Sequence, residues 1–152
     1  MPKDYKLSAF QKAQVEAELS GNDVVDNNSL SRFLSEEIHY PLYFLDFETF
    51  YTAIPRFNGI RPRQKIPFQY SLHLMNHENS DLKHEEFLRE EGIDPRQNLV
   101  KKLIKDVGEE GSILTYSGFE KGVIKALAHD FPEYSLRELQ DWFNILKRKY
   151  FI

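Results

Sequence analysis

The sequence predicts an α/β domain preceded by a helical segment, and three stretches support this class. Residues 43–49 form an apolar, aromatic run typical of a buried strand. Residues 68–75 alternate apolar or aromatic with polar side chains, the pattern of a half-buried strand. Residues 112–128 contain a short apolar run, a tight turn at Ser117-Gly118 and a helical pattern. Strands and helices therefore alternate along most of the chain.

Composition limits the classes of protein that the chain can be. Its 152 residues correspond to about one domain, and its 41% hydrophobic and 29% charged residues are typical of a soluble globular protein. No apolar run approaches the length of a membrane span, and no signal-peptide core precedes the domain. We therefore expect a cytoplasmic protein without membrane contact.

Cysteine usage and net charge constrain the chemistry. The absence of cysteine excludes disulfides, thiolate zinc sites and cysteine nucleophiles within these residues. Any metal ion must therefore be held by Asp, Glu or His. The formal net charge of −4 gives no overall attraction to nucleic acid, so nucleic-acid binding would require a local basic patch.

The first forty residues predict two helices and no catalytic part. Residues 7–19 favour a helix that the turn residues after Ser20 end, and Asn28-Ser29 can cap a shorter helix that Pro41 stops. We assign residues 1–38 to a helical N-terminal extension and residues 39–152 to the α/β domain. The extension could instead be the tail of an upstream domain. No stop signal follows the last predicted helix, so we expect the domain to be truncated at its C-terminus.

Two carboxylates lie near the end of the first predicted strand. Asp46 and Glu48 are two positions apart, so they project from the same face of a strand and can converge on one cation. Carboxylate oxygens are the ligands that Mg²⁺, Mn²⁺ and Ca²⁺ prefer. The alternative is that the strand ends here and both acids point into water. The apolar context and a second acid later in the chain favour the metal-binding interpretation.

A long basic loop is predicted after this strand. Residues 53–67 contain three prolines and one glycine, which exclude regular structure, and loops of this length are often functional. Arg56, Arg61, Arg63 and Lys65 could contact phosphates. A solvated surface loop is the alternative.

The remaining elements follow in order. We predict a strand over residues 68–75, a short partner strand over 84–88, a helix opening at Asp94-Pro95, a strand over 112–116, a helix from about residue 119, and a last helix over 136–150 that contains Asp141. Glu120 falls in the first turn of its helix, where the helix dipole favours a carboxylate by about 0.3–1 kcal/mol without any metal ion.

Three segments in this order resemble the DnaQ-like, or DEDD, 3′–5′ exonucleases of the ribonuclease H-like superfamily. They are Phe44 to Thr49, Pro67 to His73, and Tyr116 to Lys121. They look most like a bacterial branch of that superfamily, whose members often follow a helical or nuclease-like N-terminal region. The resemblance implies a mixed sheet, with three antiparallel strands followed by a parallel strand, flanked by helices. It also implies that the full-length chain could carry an additional nuclease-like domain.

The same resemblance implies hydrolysis of DNA or RNA with two Mg²⁺ or Mn²⁺ ions. Asp46 would bridge both ions, Glu48 would hold the ion nearest the nucleophile, and Glu120 would support the second ion. Ser117 and Phe119 would join the basic loop in nucleic-acid binding. The sequence departs from the family pattern at Ser117, where Asn is usual, and at Glu120, where Asp is usual.

The family's last acid and its His or Tyr general base have no counterpart here, and Asp141 is only a weak candidate for a ligand. We therefore expect low activity from this chain. The main alternative is a nucleic-acid-binding or assembly module that keeps the fold without catalysis. A phosphatase with Asp46 as nucleophile is a further alternative, but such enzymes usually carry a second Asp where Glu48 stands.

Overall fold

The computed structural model describes residues 6–22, 25–134, 136 and 143–145. The chain divides into two compact units, one that contains the N-terminal residues up to Glu37 and one that spans Ile38–Ile145. The N-terminal unit is helical, as predicted. It contains helices α1 (Ala9–Ser20) and α2 (Asn27–Arg32) and a π-helical turn (Phe33–Glu37).

The second unit is built on one mixed sheet. Its strands are β1 (Leu42–Phe50), β2 (Ile66–Met75), β3 (Lys83–Leu88), β4 (Ser112–Thr115) and β5 (Phe143–Ile145). Their spatial order is β3-β2-β1-β4-β5, with β1, β2 and β3 antiparallel and with β4 and β5 parallel to β1. Helix α3 (Arg96–Val107) precedes β4, and helix α4 (Phe119–Asp130) follows it. This architecture confirms the predicted fold class.

The prediction of a helix over residues 136–150 is wrong at three residues. Phe143–Ile145 is a strand that pairs in parallel with β4. A short apolar run does not by itself distinguish a buried strand from a helix, and here the free edge of β4 provides a partner. Most of the predicted helix, including Asp141, lies outside the described residues.

The core lies on one face of the sheet, under α3 and α4. Tyr43, Leu45 and Phe47 of β1 belong to one buried cluster with apolar residues of both helices. Because side chains alternate along a strand, Asp46 and Glu48 point to the other face, and both are exposed. The alternation of β1 thus separates the core from the candidate acids.

No helix in the described parts of the chain has both the length and the apolar character needed to cross a membrane.

Candidate functional site

Asp46 and Glu48 lie together on the open face of the central strand. Their partners across β2 are Ser71 and Gln69, so the surrounding surface is polar. Neither carboxylate forms a hydrogen bond or an ion pair with any residue that the structure describes. The regular pairing with β2 breaks between Glu48 and Thr49. Such bulges are common beside active sites, where they redirect the chain.

Glu120 has a different environment. It is only 5% exposed, although most glutamates are exposed. The Ser117 hydroxyl donates to Glu120 Oε2 at 3.5 Å and accepts from the backbone N–H of Phe119 at 3.1 Å. Thr115 Oγ1 donates to the Ser117 carbonyl at 2.8 Å. Ser117 therefore holds both the turn after β4 and the buried carboxylate.

The structure does not bring the three predicted metal ligands into one group. Among the described residues, no three acidic or histidine side chains are close enough to hold a metal ion together. Glu120 is buried on α4 together with Val123 and Ile124, whereas Asp46 and Glu48 are exposed and project from β1 away from its buried neighbours Leu45 and Phe47. The spacing of Asp46 and Glu48 predicts that they share a face of β1, but no sequence pattern predicts the burial of Glu120.

The acids that are present fit a simpler metal site. Mg²⁺ usually keeps several waters and is bound through one or two carboxylates. Asp46 and Glu48 offer two unpaired carboxylates on an open surface, which fits one hydrated ion. The described residues do not fit a two-ion centre, because that would require further acids in the same group.

The basic loop between β1 and β2 is anchored to the rest of the domain. The Arg63 N–H donates to the Thr52 carbonyl at 2.9 Å, and Gln64 closes a turn with Arg61 through its backbone N–H and its side-chain oxygen. Gln64 Nε2 also donates to Asp130 Oδ2, at the end of α4, at 3.0 Å. These hydrogen bonds anchor the loop to the end of β1 and to the end of α4.

The four predicted phosphate-binding cations are available. Arg56, Arg61, Arg63 and Lys65 are exposed, and none of them forms an ion pair with a carboxylate that the structure describes. Lys65 Nζ lies 4.9 Å from the ring centroid of Phe119, a cation–π distance that joins two residues predicted to bind nucleic acid.

A buried arginine that the sequence analysis missed supports this loop. Arg96 is 5% exposed, and its guanidinium donates to both carboxylate oxygens of Asp94 and, at 2.8 Å, to Asp130 Oδ2. Arg96 Nη2 also reaches the Asn58 carbonyl at 3.4 Å. These bonds raise the Arg96 pKa, with the Asp94 hydrogen bonds as the largest cause and burial as an opposing one. No local sequence signal marks this residue, because arginines are mostly exposed.

One protein-family model matches the part of the chain that carries the acid pair and the basic loop. The model described as "Domain of unknown function (DUF2779)" matches residues 43–151, well over half of the chain. The chain belongs to the DUF2779 family. Neither the curated proteins nor the solved structures contain a match to it. The DUF2779 region begins at Tyr43, on the strand that carries Asp46 and Glu48, and it includes the basic loop, Ser117 and Glu120.

Two exposed aromatic residues of the DUF2779 domain were also missed. Tyr51 directly follows β1 and is 65% exposed, and Tyr116 directly follows β4 and is 71% exposed. β1 and β4 are parallel, and the pairing of Phe44 with Leu114 puts the end of β4 near Asp46, several residues before the end of β1. The strand predicted over residues 112–116 includes Tyr116, so the sequence did not indicate that this ring is exposed. Exposed aromatic rings can stack with nucleobases.

Proposed function

We propose that this DUF2779 domain is a metal-dependent nuclease of the 3′–5′ exonuclease type, which hydrolyses phosphodiester bonds in DNA or RNA. The observation that carries the proposal is the pair of unpartnered carboxylates, Asp46 and Glu48, on the open face of the central strand. The order and direction of the strands and the anchored basic loop add support.

Asp46 and Glu48 would hold Mg²⁺ or Mn²⁺. When bound, such an ion polarises a phosphoryl oxygen and lowers the pKa of its water ligand. The unpaired cations of the loop bind the backbone phosphates and orient the strand. Tyr51, after the end of β1, and Tyr116, after the end of β4, offer exposed stacking surfaces for bases. Glu120 is not part of this metal site, because it is buried and forms no three-acid group with Asp46 and Glu48 in the described residues.

The test is digestion of an end-labelled single-stranded oligonucleotide in millimolar Mn²⁺. We expect slow, stepwise shortening from the 3′ end that EDTA stops and that Asp46→Asn and Glu48→Gln each abolish. Glu78→Gln is the matched control, because Glu78 is an exposed acid in the turn between β2 and β3. Degradation that persists in Asp46→Asn would assign the activity to a contaminant or to another site.

A second candidate is a nucleic-acid-binding or assembly module without catalysis. It is favoured by the absence of a three-acid group among the described residues, together with the four unpaired loop cations. This function predicts oligonucleotide binding that weakens with salt and is unchanged by EDTA and by Asp46→Asn. Binding of that kind without any Mn²⁺-dependent shortening would favour the second candidate over the first.

A further inference from the structure

A cavity lies between the basic loop and α4. Its volume is about 690 Å³, within the range of about 300–1,000 Å³ that small-molecule sites occupy. Arg61 and Lys65 of the loop line one side, and Phe119, Gly122 and Ala126 of α4 line the other. Asp46 and Glu48 are not among the lining residues. The cavity is therefore a feature separate from the acid pair.

The side of α4 that lines this cavity carries residues with small side chains or none. Gly122 and Ala126 are four residues apart and lie along one side of α4, and Gly118 directly precedes the helix four residues before Gly122. A Cβ atom at Gly122 would meet no heavy atom within 4 Å. The glycine is thus not required by packing within the domain. It leaves open a surface on which a flat group can lie close to the helix.

The charge at the rim favours an anion. Arg61 and Lys65 have no carboxylate partner among the described residues, and Lys65 lies over the Phe119 ring. Asp130, which also lines the cavity, accepts from Arg96 Nη1 at 2.8 Å, but Arg96 also pairs with Asp94, so these three side chains together keep one net negative charge against the two positive charges of Arg61 and Lys65. Cationic groups therefore lie beside an aromatic ring and a bare helix wall.

From these features we infer that the cavity binds a nucleoside phosphate, with the base on the wall formed by Phe119 and Gly122 and the phosphate at Arg61 and Lys65. The two possible sources are a free mononucleotide and a terminal nucleotide of a strand. This inference rests on the proposed function for the choice of a nucleotide, but the cavity itself requires neither the metal ion nor Asp46.

The test measures binding of 5′-AMP, ribose 5-phosphate and a single-stranded oligonucleotide to the 152-residue protein in EDTA. Gly122→Leu fills the cavity from an open helix position, and Gly122→Ala leaves most of it open. Lys125→Gln, on the exposed side of the same helix, is the charge control for Lys65→Gln. Thermal melting of each variant confirms that it folds.

We expect 5′-AMP to bind at least about fivefold more tightly than ribose 5-phosphate, because the base stacks. Gly122→Leu should weaken 5′-AMP binding at least about tenfold and Lys65→Gln at least about threefold, whereas Gly122→Ala and Lys125→Gln should change it less than twofold. If Gly122→Leu also weakens oligonucleotide binding, the source is a strand terminus. If only 5′-AMP is affected, the source is a free nucleotide.

Two results overturn the inference: equal binding of 5′-AMP to wild type and to a folded Gly122→Leu variant, or no 5′-AMP binding with oligonucleotide binding unaffected by Gly122→Leu. The nuclease proposal fails independently of these. If wild type shows no Mn²⁺-dependent digestion but binds 5′-AMP in a way that depends on Gly122, the nuclease proposal is contradicted and the cavity assignment stands.

Discussion

Asp46 and Glu48 are exposed carboxylates on a strand, and neither forms an ion pair with a residue that the structure describes. A carboxylate in this situation is free to bind a cation. Their spacing in the sequence predicted that they would share a face, because strand side chains repeat every two residues. The environment of Glu120 could not be predicted in the same way. Its direction depends on how α4 rotates to bury Val123 and Ile124, which is decided by packing.

Tyr70 provides a residue-scale prediction about pH. Burial, followed by a hydrogen bond from its hydroxyl to Asp106 Oδ2 at 2.5 Å, raises the Tyr70 pKa above its usual range. The folded state therefore holds this proton more tightly than the unfolded state. The resulting stabilisation is complete below about pH 10, the pKa of an unfolded tyrosine, and is lost as pH rises above it.

Urea unfolding at several pH values checks this prediction. The free energy of unfolding of wild type should fall more steeply above about pH 10 than that of Tyr70→Phe. At neutral pH, Tyr70→Phe should lose about 1–3 kcal/mol, because Asp106 loses a hydrogen bond. Tyr51→Phe, which removes an exposed hydroxyl, is the control. Equal alkaline slopes in wild type and Tyr70→Phe would contradict this account of Tyr70.

At the scale of elements, the order of strands and helices followed from periodicity and turn residues, and the structure confirms it from β1 through α4. The attachment of the basic loop to the rest of the domain could not be predicted from periodicity and turn residues. It depends on Arg96 at the start of α3, on Asp94 just before α3, and on Asp130 at the end of α4. Contacts between elements leave no periodic signal in the sequence. The same limitation explains the error at Phe143–Ile145, where pairing with β4 determines the structure.

The connection into β4 gives an element-scale prediction. Gly111 has φ +118°, and a Cβ atom there would collide with the Pro41 carbonyl oxygen and approach Tyr43 Cε2 to 2.8 Å. Both contacts are with β1 or the residue before it, so they cannot easily move. Gly111→Ala should therefore reduce the free energy of unfolding by about 1–3 kcal/mol or more.

Thermal and urea unfolding measure this effect, with Gly122→Ala as the matched glycine substitution. Gly122 lies within α4 in open space, so its replacement by Ala should stabilise the protein by up to about 1 kcal/mol. Opposite signs for the two substitutions are expected. An unchanged free energy of unfolding in Gly111→Ala would show that Gly111 has more room beside Pro41 and Tyr43 than these contacts indicate.

At the scale of the whole molecule, a chain of net charge −4 must bind a polyanion through a local surface. The loop provides four unpaired cations for this purpose. If all four contact phosphates of a single strand, the logarithm of the association constant should fall with the logarithm of salt concentration with a slope of about −3.

Fluorescence anisotropy with a labelled oligonucleotide across a salt series gives this slope. The double substitution Arg61→Gln with Lys65→Gln should make it shallower by about 1.4, because two phosphate contacts are lost. Lys125→Gln should leave the slope unchanged. A slope that the double substitution does not alter would place the nucleic-acid contacts outside the basic loop.

Titration of Mn²⁺ followed by electron paramagnetic resonance tests most directly whether Asp46 and Glu48 bind a divalent ion, because the signal of free Mn²⁺ falls as the ion is bound. We expect about one bound ion per chain, with binding lost in Asp46→Asn and Glu48→Gln and retained in Glu78→Gln and Glu120→Gln. Binding that is absent from wild type, or that is equal in wild type and Asp46→Asn, would contradict a metal site at these two carboxylates.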